Sequence, residues 1–151
     1  MKFVNLLILV LILPIMAVAS QPEHYKVYED KVASCIRDEQ SKPDIDLKSL
    51  AGLSTNVIAT GIFYHKDKRL IECSAKEELY SLTKVLSSNS FELDMIKYSY
   101  LSIGMLDKEK EYFNIPASIR KQIDLALENR NLEINLISLF ERLESQRDYE
   151  K

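Results

Sequence analysis

Val57-Ile58-Ala59-Thr60-Gly61-Ile62-Phe63-Tyr64-His65-Lys66-Asp67-Lys68-Arg69-Leu70-Ile71-Glu72-Cys73 is the stretch on which the fold turns. Val57 to His65 and Arg69 to Cys73 are rich in β-branched and aromatic residues, so the two runs could pair as a short β-hairpin across Lys66-Asp67-Lys68. That turn, however, lacks the Asn-Gly or Asp-Gly pair whose positive φ suits tight hairpins. Its flanks also carry helical patterns. A helix is therefore expected here, with a hairpin around 57–73 as the alternative.

Upstream, Pro22 suits the first turn of a helix, and Tyr25, Tyr28, Val32, Cys35 and Ile36 repeat at helical spacing behind it. This predicts a helix over 23–40, ended by Ser41-Lys42-Pro43 because the residue before proline is pushed out of the helical region. Leu47, Leu50, Ala51 and Leu53 suggest a short helix opened by Asp46, and Ser54-Thr55-Asn56 offers a fresh N-cap.

Downstream, Ser74-Ala75-Lys76-Glu77 has the S-x-x-E spacing of a capping box, with Leu79, Leu82 and Leu86 as the apolar stripe behind it. Ser87-Ser88-Asn89-Ser90 reads as a polar break. Phe91, Leu93, Ile96, Tyr100 and Ile103 form another helical face ending near Gly104-Met105-Leu106. A charged run, Asp107 to Glu111, leads to Pro116 and a helix carrying Ile119, Ile123, Ala126 and Leu127. After a corner at Asn129-Arg130-Asn131, a last helix carries Leu132, Leu136, Leu139, Phe140 and Leu143. With three glycines and four prolines in 151 residues, sharp turns are few. The expected fold is an all-α compact bundle of about five to six helices.

Residues 1–20 read as a cleavable signal peptide: Lys2, an apolar run from Phe3 to Leu13, Pro14, and the small residues Ala17-Val18-Ala19-Ser20. Cleavage after Ala19 or Ser20 fits equally. The apolar run is shorter than the ~20 residues that a membrane span requires, and Pro14 interrupts it. The expectation is an exported protein, periplasmic or secreted, with residues 21–151 as a single helical domain and no stable membrane insertion. The leader contributes only Lys2 to the charge, which leaves 19 basic and 23 acidic residues and a net charge of −4. Nucleic acid is a poor partner for that balance.

Two cysteines, Cys35 and Cys73, follow the leader. In an oxidising compartment the pair reads as one disulfide, adding about 3–4 kcal/mol by the chain-entropy model; two buried free thiols are the alternative. His24 and His65 are isolated, with no H-x-x-x-H or C-x-x-C pattern, so no metal site is expected. There is no G-x-S-x-G elbow and no phosphate-cradling glycine loop. Glu77 is accounted for by the capping box and Glu78 by solvent exposure. No catalytic residue, cofactor or enzymatic activity is expected. Eight tyrosines and no tryptophan are more informative. Tyrosine supplies rigid, amphipathic contact area at protein interfaces, and Tyr64, His65 and Tyr98 are the candidate partner-binding residues.

The leader, the cysteine in an N-terminal helix, the glycine-containing apolar segment, and Cys73-Ser74-Ala75-Lys76-Glu77-Glu78-Leu79 leading into Val85-Leu86-Ser87-Ser88-Asn89 together form a pattern. It resembles that of the small periplasmic immunity proteins that protect bacteria from type VI secretion peptidoglycan-amidase effectors. The similarity runs from about Gly61 to Leu106. This chain lacks a cysteine near the C-terminus and continues through two further expected helices, Pro116 to Glu144. The resemblance implies a helical, disulfide-bonded inhibitor, often a homodimer, that plugs a toxin's active-site groove. The alternative function is a carrier of a small apolar ligand, with a cavity lined by residues such as Phe63, Leu79 and Ile96. A polar cleft holding His65 with two carboxylates would instead favour a cell-envelope enzyme.

Overall fold

The computed structural model describes residues 22–87 and 100–149, with side chains as far as Gln146. Residues 1–21, the expected leader among them, and Phe91, Leu93, Ile96 and Tyr98 lie outside the described residues. Among the described residues there are five α-helices and no strand: α1 (Glu23–Gln40), α2 (Thr55–Ser87), α3 (Leu101–Phe113), α4 (Ala117–Leu127) and α5 (Leu136–Tyr149). A 3-10 helix, Leu47–Leu50, links α1 to α2. The all-α bundle is as expected, and the stretch 57–73 is helix throughout.

The caps explain where the elements begin. Pro22 precedes α1, which needs no donor from it there. Asp46 accepts from Lys48 N at 3.1 Å to open the 3-10 helix, and Ser54 Oγ accepts from Val57 N at 3.4 Å at the head of α2. Asn135 Oδ1 accepts from Ile137 N and Ser138 N at 2.9 and 3.2 Å, which starts α5 four residues later than the apolar pattern suggests. Leu132 is not helical; it drops into the core from the connecting segment, 1 % exposed. Asn129, at the expected corner, has φ 51°, a left-handed conformation that asparagine tolerates better than most side chains.

α2 is one helix of 33 residues, and this corrects three expectations. Ser74 is not an N-cap: it is fully buried in mid-helix and its hydroxyl donates to Leu70 O at 2.8 Å. Leu79 and Leu86 are not core residues but 64 % and 57 % exposed. Glu78, expected in solvent, is 2 % exposed. The inward stripe of α2 begins apolar, through Ile58, Ile62 and Leu70, and continues at the same spacing through Ser74, Glu78 and Ser81. Helical geometry fixes which positions face inward, and here polar residues occupy the inward ones.

Glu78 shows why. Its Oε1 accepts from Ser102 N at 2.8 Å and from Ser102 Oγ at 2.6 Å, while Tyr28 OH accepts from Leu101 N at 3.3 Å. Side chains from α1 and α2 thus cap the first turn of α3, and the carboxylate sits at the positive end of that helix. Gly104 and the run Asp107 to Glu111, expected as a helix end and a connector, are interior to α3.

Two apolar clusters hold the bundle. The larger joins Leu47, Leu50, Ile58, Ile62, Ile123, Leu127, Leu132, Leu139 and Leu143 with Tyr64 and Tyr112. Complete burial of a leucine or isoleucine stabilises by about 1.5–3 kcal/mol each. The smaller cluster centres on Tyr28 and Tyr100, whose rings stack at 5.4 Å, with Tyr25, Val32, Leu82, Val85 and Ile103 around them. α1 belongs only to the smaller cluster. It is tied to α2 by the Cys35–Cys73 disulfide, with Cα atoms 6.1 Å apart. Arg69 on α2 reinforces the tie: its guanidinium donates to Glu39 Oε2 at 3.1 Å and to the carbonyls of Leu127 and Arg130 at the C-terminal end of α4.

Candidate binding groove

Residues 64 and 65 are adjacent on α2 but sit in different surroundings. Tyr64 is 6 % exposed and its ring lies flat on Tyr112 of α3, with centroids 4.1 Å apart and planes 6° apart. It is a packing residue whose edge reaches a groove rather than the surface tyrosine the sequence suggested. His65 is half-buried and points between α3 and α4. Its Nε2 donates to Asp124 Oδ1 at 2.9 Å and lies 3.2 Å from Tyr112 OH. Tyr112 OH also donates to Asp124 Oδ1. One carboxylate on α4 thereby anchors an imidazole from α2 and a phenol from α3.

Burial holds the His65 imidazole below its ordinary pKa, and the nearby Asp124 carboxylate only partly offsets that. The neutral ring donates to Asp124 through Nε2, since a carboxylate can only accept. The Tyr112 hydroxyl is pushed above its ordinary value, first by burial and then by its hydrogen bond to Asp124.

Around this cluster opens a groove of about 410 Å³ lined by Tyr64, His65, Lys68, Tyr112, Phe113, Ala117, Arg120, Lys121 and Asp124. Its rim is cationic. The Arg120 guanidinium stacks over the Phe113 ring at 4.8 Å, and Lys68 Nζ lies 6.0 Å from the Tyr64 centroid. Phe113 is 54 % exposed and gives the groove an apolar wall. Ala117 is the first residue of α4, whose N-cap Pro116 offers no capping side chain.

Of the sequence candidates, the structure brings Tyr64 and His65 to this groove and joins Cys35 to Cys73 elsewhere, beside a second groove of about 300 Å³. Tyr98 lies outside the described residues. The residues that sequence reasoning missed are Lys68, Tyr112, Phe113, Arg120, Lys121 and Asp124. Tyr112 and Phe113 were hidden behind a charged run taken for a connector. Asp124 stands four residues after Arg120 on α4, an ordinary solvent-face spacing that gave no signal.

The groove holds His65 with one carboxylate, Asp124. Two residues named for an apolar ligand cavity, Phe63 and Leu79, are 45 % and 64 % exposed rather than lining one. Among the described residues no cluster of metal-ligating side chains occurs, and no helix is long and apolar enough to cross a membrane. In comparisons with family models, curated proteins and solved structures, nothing matches the chain.

Proposed function

We propose that this is an exported protein that acts by binding another protein, without turnover of its own, and that the partner is a secreted cell-wall-degrading effector which it neutralises. The observation that carries the binding reading is the groove between α2, α3 and α4. It is open, about 410 Å³, with an exposed Phe113 wall and a cationic rim, and its floor is fixed by the His65–Asp124–Tyr112 hydrogen bonds. A fixed floor lowers the ordering cost of association, and an aromatic wall beside charge suits a protein interface. The leader, the disulfide and the resemblance to periplasmic immunity proteins support the compartment and the kind of partner.

Protection of cells tests the reading. An exported copy rescues cells from a peptidoglycan-amidase effector delivered to the periplasm, whereas a copy lacking residues 1–20 does not, because the partner acts outside the cytoplasm. Equal protection by the leaderless copy, or purified proteins showing neither binding nor inhibition, would overturn it.

A further inference from the structure

The net charge of the whole chain is −3, yet the groove concentrates positive charge. Lys68, Arg120 and Lys121 line it against the single carboxylate of Asp124, and burial lowers the His65 pKa below its ordinary value. Among the described residues, no carboxylate lies within ion-pair distance of any of the three cations; Arg120 and Lys68 instead lean on aromatic rings. Elsewhere three cations that reach across the fold meet carboxylates: Lys66 meets Glu133, Arg69 meets Glu39 and Lys108 meets Asp67. Among the described residues, the groove thus groups three basic side chains that form no ion pair. The N-terminal end of α4 opens onto it at Ala117, and its dipole adds to the same positive field.

We infer that the groove receives an acidic peptide segment of the protein partner, with a carboxylate seated among Lys68, Arg120 and Lys121 and a neighbouring apolar side chain against Phe113. This rests on the protein-binding reading and adds the chemistry of the bound segment. Charge complementarity selects an anionic group, and guanidinium paired with carboxylate is the geometry that gives directed, two-point recognition. The exposed Phe113 ring and the groove volume favour a segment with an apolar side chain over an isolated small anion. A nucleic-acid polyanion would extend beyond the groove onto an acidic remainder of the chain.

Amide chemical shifts of the full disulfide-bonded protein, labelled with nitrogen-15, test the inference without the effector. The probes are the N-acetylated, C-amidated peptide Asp-Glu-Phe-Glu-Asp, its basic counterpart Lys-Lys-Phe-Lys-Lys, and inorganic phosphate. The acidic peptide is expected to shift the amides of Ala117, Arg120 and Lys121 saturably and to weaken as salt rises. The combined substitution Lys121→Glu and Arg120→Gln should weaken it by about tenfold or more. Lys68→Gln alone, on the opposite wall, should weaken it by about threefold and serves if the double variant unfolds in a thermal melt. No shift at these amides, equal binding of the basic peptide, or phosphate binding as tightly as the acidic peptide would each overturn the inference. If the peptides fail while the exported copy still protects cells, the binding reading stands and its docking surface lies elsewhere.

Discussion

Gly61→Ala measures the contact that positions one side of the groove, the approach of α2 to α4. A glycine in mid-helix costs about 1 kcal/mol relative to alanine, so on propensity alone the substitution should stabilise. The structure opposes this. A Cβ on residue 61 would stand 2.5 Å from Ile123 Cγ2 and 3.4 Å from its Cδ1, and Ile123 is fully buried. Cγ2 is bonded directly to Cβ and cannot swing clear by a distal rotation, so the helices must part or the isoleucine must leave its rotamer. Overpacking of this kind costs about 1–3 kcal/mol, and the short contact places it toward the upper end. The net expectation is a loss of about 1–2 kcal/mol after the propensity gain. Urea denaturation of the disulfide-bonded protein reads this as a lower midpoint with an unchanged slope. In an Ile123→Ala background only the β-carbon, 3.7 Å away, remains of the three contacting atoms. There Gly61→Ala should become neutral or stabilising by up to about 1 kcal/mol, a coupling of about 1–3 kcal/mol. A stabilising effect with Ile123 intact, or no coupling between the two positions, would refute the close approach.

Replacing Cys35 and Cys73 together by serine removes a link closing a 38-residue separation and should cost about 4 kcal/mol by the chain-entropy model; hydrogen exchange should show α1 losing protection before α4 and α5. Ser74→Ala should stay within about 0.5 kcal/mol of the parent, because a mid-helix hydroxyl bonded to Leu70 O leaves no amide uncapped when removed; a loss near 1 kcal/mol in chemical denaturation would restore the capping box. Glu78→Ala should cost about 2–3 kcal/mol, since the half-buried Ser102 N–H and hydroxyl lose a charged acceptor; an effect of a few tenths, read the same way, would contradict the α3 cap. His65 has a lowered folded-state pKa, so the unfolded chain takes up its proton first. Stability from this group is complete above the ordinary histidine value of about 6.5 and is lost as pH falls below it. A His65→Gln variant should show a flatter fall between neutral and mildly acidic pH in thermal melts, and an unchanged slope would refute the assignment.

Much of the bundle was legible because its signals are local. Pro22, Asp46, Ser54 and Pro43 mark element ends through backbone chemistry that acts within a few residues, and the Cys35–Cys73 pair followed from there being two cysteines in a chain expected to be exported. The second half of α2 was misread because hydrophobicity stood in for direction. Leu79 and Leu86 look like core, yet the inward positions belong to Ser74, Glu78 and Ser81, of which Ser81 meets Tyr100 and Glu78 the first turn of α3. A buried glutamate acquires its reason only when a helix end arrives from elsewhere in the chain. The groove was half legible for the same cause: His65 drew notice as a rare residue, but Asp124 lies 59 positions away, and no spacing rule connects them.

Isothermal titration of a purified peptidoglycan-amidase effector into the disulfide-bonded protein, run in parallel with the Lys121→Glu variant, tests the central claim most directly. Saturable binding that weakens by about tenfold or more in the variant and falls with added salt is expected, because association through a cationic groove depends on that charge. Absence of binding to the unaltered protein would contradict the proposed function, and tight binding indifferent to Lys121→Glu would contradict the groove as its seat.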